Sequence, residues 1–259
     1  MTDPAKQPNS EVIAGRNSVM EALKSGRPAD RLLLARGERT GVVQAIVARC
    51  RDRGIPVKEV DPRKLTALCG GDTHQGVALL AAVKEYATVD DIFALAEERG
   101  EAPLLIIADE LSDPHNLGAI VRTAEGAGAH GIVVPKRRTA GLTPAVLKAA
   151  AGALEYVPVA RVSNLAAAME DLKKRGVWIY ALDMDGTPWC QTYFTGPTAL
   201  VIGSEGQGGG RLVKEKCDFT VSLPMRGQID SLNASVAAGI VLYEAARQRT
   251  GLSCVKAGQ

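Results

Sequence analysis

Apolar residues fall along this chain in two rhythms. From residue 103 onward, short unbroken apolar runs at 104–108, 132–134, 157–160, 177–182, 199–202 and 219–223 alternate with stretches of helical spacing at 117–127, 144–151, 165–174 and 232–247. Unbroken, β-rich runs suit strands covered on both faces, so this rhythm predicts a parallel sheet with crossover helices. Ser163 or Asn164 is placed to cap the third of these helices, and Gly176 to end it.

The N-terminal part has a different rhythm. It predicts a short helix ending at 17–23, a strand at 31–35, and a helix at 42–53 with Val42, Val43, Ile46 and Val47 on its apolar side and Gly54 as its stop. A strand at 55–60 runs into Asp61-Pro62, one or two helical turns follow at 65–69, and a further strand spans 76–83. Together these make a small α/β unit. The expected division is a polar disordered lead at 1–10, an N-terminal unit at 11–83, a linker with a surface helix (89–98) at 84–102, and a larger unit at 103–259.

Composition narrows the class. Apolar residues are 46% and charged residues 23%, as in an ordinary soluble globular protein. No apolar run approaches the ~20 residues of a membrane helix, and the polar start lacks the apolar core of a secretion signal, so the expected location is the cytoplasm. Cys50, Cys69, Cys190, Cys217 and Cys254 are scattered and never spaced as Cys-x-x-Cys. Neither a disulfide framework nor a metal site is expected. The net charge of +2 carries no nucleic-acid signal, yet residues 1–64 hold 13 Lys and Arg against 8 Asp and Glu. Arg16, Arg27, Arg31, Arg36 and Arg39 cluster there, which fits an RNA-facing patch and a solvated surface equally well.

One apparent motif is a decoy. Gly126-Ala-Gly128-Ala-His-Gly131 matches Gly-x-Gly-x-x-Gly, but a dinucleotide loop follows a strand and opens a helix, whereas here a helix ends and a strand follows. Gly203 to Gly210 lacks the Lys-Ser/Thr of a phosphate-binding loop. Three other blocks have better context, each following a strand: Asp109-Glu-Leu-Ser-Asp113-Pro-His-Asn116 leading into a helix that carries Arg122; Gly203-Ser-Glu205-Gly; and Leu223-Pro-Met-Arg226-Gly leading to Ser231-Leu-Asn233 at the start of the last helix. Taken singly, Asn116 reads as a loop or cap residue, Glu205 as a turn-forming acid, and Ser231 or Asn233 as an N-cap. Taken together, glycine loops and polar helix starts beyond parallel strands would form one cleft of backbone N–H and C=O groups able to hold an adenosine and an amino-acid tail.

In this order and spacing the blocks resemble the three motifs of the SpoU/TrmH branch of the SPOUT superfamily, RNA ribose 2′-O-methyltransferases that use S-adenosylmethionine. The segment Val146-Leu-Lys-Ala-Ala-Ala-Gly-Ala-Leu-Glu155 is similar to a further family segment, with Ala150 where a serine is common. Ile13-Ala-Gly-Arg-Asn-Ser-Val-Met-Glu-Ala-Leu23 and His74-Gln-Gly-Val77 resemble the family's accessory RNA-binding domain. The architecture is most similar to members that methylate a guanosine in the P-site loop of 23S ribosomal RNA. The resemblance implies an α/β fold with a deep trefoil knot in the C-terminal parallel-sheet domain, a homodimer, and RNA rather than DNA or membrane as partner. It assigns the chemistry to Arg122, with Asn116, Glu205, Ser231 and Asn233 in support, and cofactor binding to the backbone of Gly203, Leu223 and Leu232. A guanidinium keeps its proton, so Arg122 is expected to grip phosphate and stabilise a 2′-oxyanion; a base of substrate-lowered pKa is the alternative. His115 and His130 are weaker acid–base candidates. A transfer RNA methyltransferase, a non-catalytic RNA-binding or assembly protein and a small-molecule methyltransferase are the competing readings.

Overall fold

Leu32, Leu33 and Leu34 are all buried, which a strand can achieve only when both faces of its sheet are covered. In the computed structural model, which describes residues 10–27, 29–37, 40–70, 73–82, 84–203 and 211–251, the chain forms two compact units. The first contains β1 (Ser10–Ala14), α1 (Arg16–Lys24), β2 (Ala29–Ala35), α2 (Gly41–Asp52), β3 (Val57–Val60), α3 (Pro62–Leu68) and β4 (Val77–Ala82). Its sheet order is β1-β4-β2-β3, with β4 antiparallel to both neighbours and β2 parallel to β3. Alternation sorts the apolar run of β2 between two cores. Leu32 and Leu34 join Val19 and Leu23 of α1 and Val43 and Ile46 of α2, while Leu33 and Ala35 join Leu65 of α3.

The first strand was not expected. Ser10, placed in the polar lead, and residues 11–14, given no element, pair with β4 from Ser10↔Ala82 to Ala14↔Ala78. Residues 1–9 of that lead lie outside the described residues.

The second unit begins at Tyr86 with α4 (Val89–Arg99), β5 (Leu104–Ala108), α5 (Pro114–Gly126) and β6 (Gly131–Pro135). Thr88 and Asp91 close a capping box on α4. This helix is more than a surface element: Ile92 is fully buried, and a Cβ on Gly131 would lie 2.5 Å from its side chain. The last glycine of the decoy motif is therefore a packing glycine.

The chain then returns to the first unit. Leu142–Tyr156, with α6 (Pro144–Ala150) and a 3-10 turn at Ala153–Glu155, packs with residues 1–85 rather than with the larger unit to which the sequence reading gave it. The reason is a buried charge cluster. Arg27 donates to both Glu11 and Glu155 with little of any of the three side chains exposed, and Ser25 donates to Glu155 as well. Breaking a buried pair of this kind by removing one partner costs about 3–5 kcal/mol. Gly152 (φ +96°) sits where a Cβ would come within 2.6 Å of the Glu21 Cβ, so both its backbone and its surroundings require glycine.

From β7 (Val159–Val162) the second unit resumes with α7 (Leu165–Lys174), β8 (Trp178–Pro188), β9 (Thr198–Ile202), α8 (Arg211–Glu215), β10 (Phe219–Ser222) and α9 (Ala234–Thr250). Its six strands pair in parallel in the order β10-β8-β9-β5-β6-β7. One face packs Leu105, Ile107, Val133 and Val201 against Ile92 of α4 and Leu165, Met169 and Leu172 of α7. The alternate residues Leu104, Ile106, Ile132 and Leu200 are equally buried, and α5 and α9 pack together, with α9 also on β9. Asn164 caps α7 by accepting from Ala167 N–H at 3.1 Å.

Candidate active site at the meeting of two helix starts

All six parallel strands of the second unit point their carboxyl ends the same way, the end where open α/β sheets bind ligands. At that end β5 is buried along its whole length and then gives way to the loop Asp109 to Asp113. Asp113, not Asn116, caps α5: its carboxylate accepts from His115 N–H at 2.9 Å, and Pro114 follows as the first helical residue. The Asp-Pro pair carried this signal, and reading it as a turn alone set the helix start too late. Asn116 consequently lies in the first turn of α5, half-buried.

Asn233 caps α9. Its Oδ1 accepts from the N–H groups of Ser235 (3.0 Å) and Val236 (3.3 Å) and from the Ser235 hydroxyl (2.6 Å). The amide orientation follows from that cap, because only the oxygen can face backbone donors. The nitrogen is thereby turned outward, and it donates to Asn116 Oδ1 at 2.9 Å. Two side chains 117 residues apart in sequence thus join the amino ends of α5 and α9, where the helix dipoles favour negative charge. Farther along, the same two helices approach closely: a Cβ on Gly239 would touch Thr123 at 3.5 Å, and one on Gly126 would meet the Tyr243 hydroxyl at 3.1 Å.

Arg122 lies two turns into α5 with its side chain exposed, and it forms no hydrogen bond or ion pair among the described residues. Ser231 is exposed just before Asn233. Gly203 follows β9, Leu223 follows β10 and Leu232 precedes α9. All three are half-buried, lie outside every helix and strand, and make no backbone hydrogen bond among the described residues. Glu205 and the glycines at 208–210 lie outside the described residues.

The two candidate histidines sit at opposite ends of the strands. His115 contributes its backbone to the Asp113 cap. His130 is fully buried at the opposite end of the strands, where Nδ1 accepts from Leu104 N–H (3.0 Å) and Nε2 faces Glu101 (3.1 Å). Burial, and then the nearby Arg99, hold its pKa below the usual histidine value. Cys50 and Cys217 are pushed up to about 11 by burial, so both stay thiols.

Residues 103–243 match the profile of the SpoU rRNA methylase family, and residues 12–87 match the profile for RNA 2′-O ribose methyltransferase substrate binding. The chain belongs to the SpoU rRNA methylase family. Among relatives of this SpoU protein, YacO of Bacillus subtilis, named as a TrmH family tRNA/rRNA methyltransferase, is 48% identical over 248 residues, covering 92% of this chain and 96% of its own. In structure the SpoU chain is similar to the SpoU methyltransferase AviRb of Streptomyces viridochromogenes in complex with AdoMet (TM-score 0.78, 27% identity, 94% of this chain and 92% of that one). It is also similar to an AdoMet-bound rRNA methyltransferase of Sinorhizobium meliloti (TM-score 0.74, 25% identity, 95% and 89%). The fold of the second unit is thus the parallel-sheet α/β fold of SPOUT methyltransferases.

The far end of α9 has an anchor of its own. Arg249 anchors the far end of α9 by donating to the carbonyls of Phe194 (2.9 Å), Pro103 (3.2 Å), Gly196 and Ala102. An arginine at the end of a helix carries no sequence signal that separates it from a solvated one.

Proposed function

We propose that the protein transfers a methyl group from S-adenosylmethionine to a ribose 2′-hydroxyl of ribosomal RNA, at a guanosine in the P-site loop of 23S RNA. The observation that carries this reading is the Asn116–Asn233 hydrogen bond, which brings the first and third family motifs together between two helix starts. The substrate-binding match over residues 12–87 favours a large structured RNA over transfer RNA, whose enzymes of this type often lack such a domain.

S-adenosylmethionine, when bound, supplies an electrophilic methyl group. Gly203, Leu223 and Leu232 suit its adenine and tail, since their half-buried backbone groups make no backbone hydrogen bond among the described residues. The 2′-hydroxyl has to lose its proton to solvent as its oxygen takes the methyl, and the developing negative charge needs a preorganised cation. Arg122 meets that need: exposed, without a partner among the described residues and permanently protonated, it grips the RNA phosphate and stabilises the oxyanion. Asn116 and Asn233 tie the two helix starts together, Arg122 follows two turns along α5, and the family resemblance assigns Ser231 and Glu205 to the same polar set.

A cytoplasmic homodimer with a knotted C-terminal segment belongs to the same reading. Support for the dimer lies on α9, where Val236, Ile240 and Tyr243 repeat at helical spacing and are 50%, 36% and 56% exposed. A second copy of this chain is the occupant that covers them.

The test is mass-spectrometric mapping of ribose methylation in ribosomal and transfer RNA from cells with and without the gene. Loss of one 2′-O-methylguanosine from 23S RNA is expected, and unchanged ribosomal RNA with a site missing from transfer RNA would overturn the substrate assignment. Asn233→Ala, which removes the cap and the contact to Asn116, is expected to cost about 1–2 kcal/mol of stability and most of the activity.

A further inference from the structure

The loop after β6 contains three successive cations, Lys136, Arg137 and Arg138. It leaves the sheet beside the loop after β5, because the two strands pair in parallel with Ile107 opposite Val133. The two loops are stitched together. Ala140 N–H and the Thr139 hydroxyl both donate to the Leu111 carbonyl, at 2.7 and 3.1 Å, and Arg138 donates to the Glu110 carboxylate at 2.8 Å. Glu110 (φ +53°) and Arg138 (φ +60°) both adopt the left-handed region that non-glycine residues avoid, at a cost of order 1–3 kcal/mol each. An ion pair with Arg138 79% exposed contributes too little to offset that cost; the stability gained is not a sufficient reason for the geometry.

The geometry has a second effect. Arg138 is spent on Glu110, in the same loop that leads to Asp113 and Asn116, whereas the exposed side chains of Lys136 and Arg137 have no hydrogen bond or ion pair among the described residues. Behind them Arg161 donates to the Lys136 carbonyl at 3.1 Å and lies over the Tyr86 ring at 5.0 Å. A stiffened loop thus displays two free cations at the carboxyl end of the sheet, one loop away from the Asn116–Asn233 pair.

We infer that Lys136 and Arg137 grip the phosphates of the RNA strand flanking the target ribose, with Arg138 and Glu110 positioning the loop. This rests on the proposed RNA methyl transfer and adds to it a substrate contact made by the methyltransferase unit itself, separate from the substrate-binding unit. Cations that neutralise phosphates release counterions, with a slope of about 0.7 in log K against log salt for each phosphate on a single strand.

The experiment compares wild-type protein, Lys136→Ala with Arg137→Ala, the charge-conserving swap Lys136→Arg with Arg137→Lys, and Lys174→Ala as an exposed cation elsewhere on the unit. Binding to 23S RNA fragments is measured from 50 to 200 mM salt, with thermal melts and S-adenosylmethionine calorimetry reporting on the fold. The double alanine variant is expected to melt and bind cofactor as wild type does, to bind RNA roughly tenfold more weakly, and to lose about 1.4 from the salt slope. Its KM for RNA should rise by more than kcat falls, and the swap should restore binding. Equal affinity and slope in the double variant, or an equal loss in Lys174→Ala, would overturn the grip while leaving the methyltransferase reading intact. Wild-type protein that binds no RNA would overturn both.

Discussion

The two ends of the six-stranded sheet are built from the same strands and helices, yet they treat polar groups in opposite ways. At the amino ends every prominent polar group is matched. His130 is held between Leu104 N–H and Glu101. Arg249 spans four carbonyls, and Gln248 accepts from Phe194 N–H while donating to the Thr192 carbonyl. On the carboxyl side the side chains of Lys136 and Arg137, and of Arg122 two turns down α5, stand exposed without partners among the described residues, and the half-buried backbones of Gly203, Leu223 and Leu232 make no hydrogen bond among those residues either. Helix α9 runs between the two regimes, with its last turn tied down and its first turn carrying Asn233. The two ends divide the work: one fixes the position of the helix, and the other presents the polar groups of the proposed site.

Substitutions that act on one end alone break this comparison most directly. Arg122→Ala should have the largest effect, a roughly 100- to 1,000-fold fall in kcat of the kind seen on removing a single oxyanion stabiliser, with a melting temperature near that of wild type. Methyl transfer by Arg122→Ala at near-normal rate would take Arg122 out of the chemistry, and Arg122→Lys tests whether charge alone suffices. Arg249→Ala should show the reverse pattern. Leaving several carbonyls without their donor should lower stability by about 1–3 kcal/mol, read by chemical denaturation, while cofactor affinity at low temperature changes less. A loss of activity without loss of stability in this variant would show that the amino end is no passive anchor.

The smallest effect is in pH dependence. Because Nδ1 of His130 accepts a hydrogen bond from Leu104, the ring is neutral in the fold, and its pKa lies below the unfolded value. The unfolded chain therefore binds the extra proton, and stability contributed by the neutral ring is present above the unfolded pKa of about 6.5 and lost as pH falls below it. Thermal melts from pH 7.5 to 5 should show a shallower decline in His130→Gln than in wild type; parallel curves would mean that Glu101 compensates the proton.

Much of the second unit was legible because burial on both faces leaves an unmistakable signature. The run 104–108 became β5 as expected, and 165–174 became α7. The rejection of the Gly126–Gly131 match also held, since α5 ends at Gly126 and β6 begins at Gly131. Less legible was whatever depended on distant partners. Strand β1 exists because β4 offers it an edge, and the apolar stretch Val12 to Ala14 is too short to announce a strand on its own. Leu142–Tyr156 has the pattern of another crossover helix, and its partners in the first unit, Arg27 and Ser25 on Glu155 among them, lie more than a hundred residues earlier. The motif residues were found by resemblance; their meeting across 117 residues could not be read from spacing. Glu205 falls in a stretch the structure does not describe.

The excursion at 142–156 also governs how the molecule can be cut. A fragment starting at Tyr86 would look like a self-sufficient half, but it would carry Val146, Ala150 and Leu154, all buried in the intact chain, stripped of their surroundings. Such a fragment should be sticky and poorly behaved for reasons unrelated to its chemistry. In this chain a cut at Tyr86 leaves part of the leading half's interior behind, because residues 142–156 are encoded far downstream.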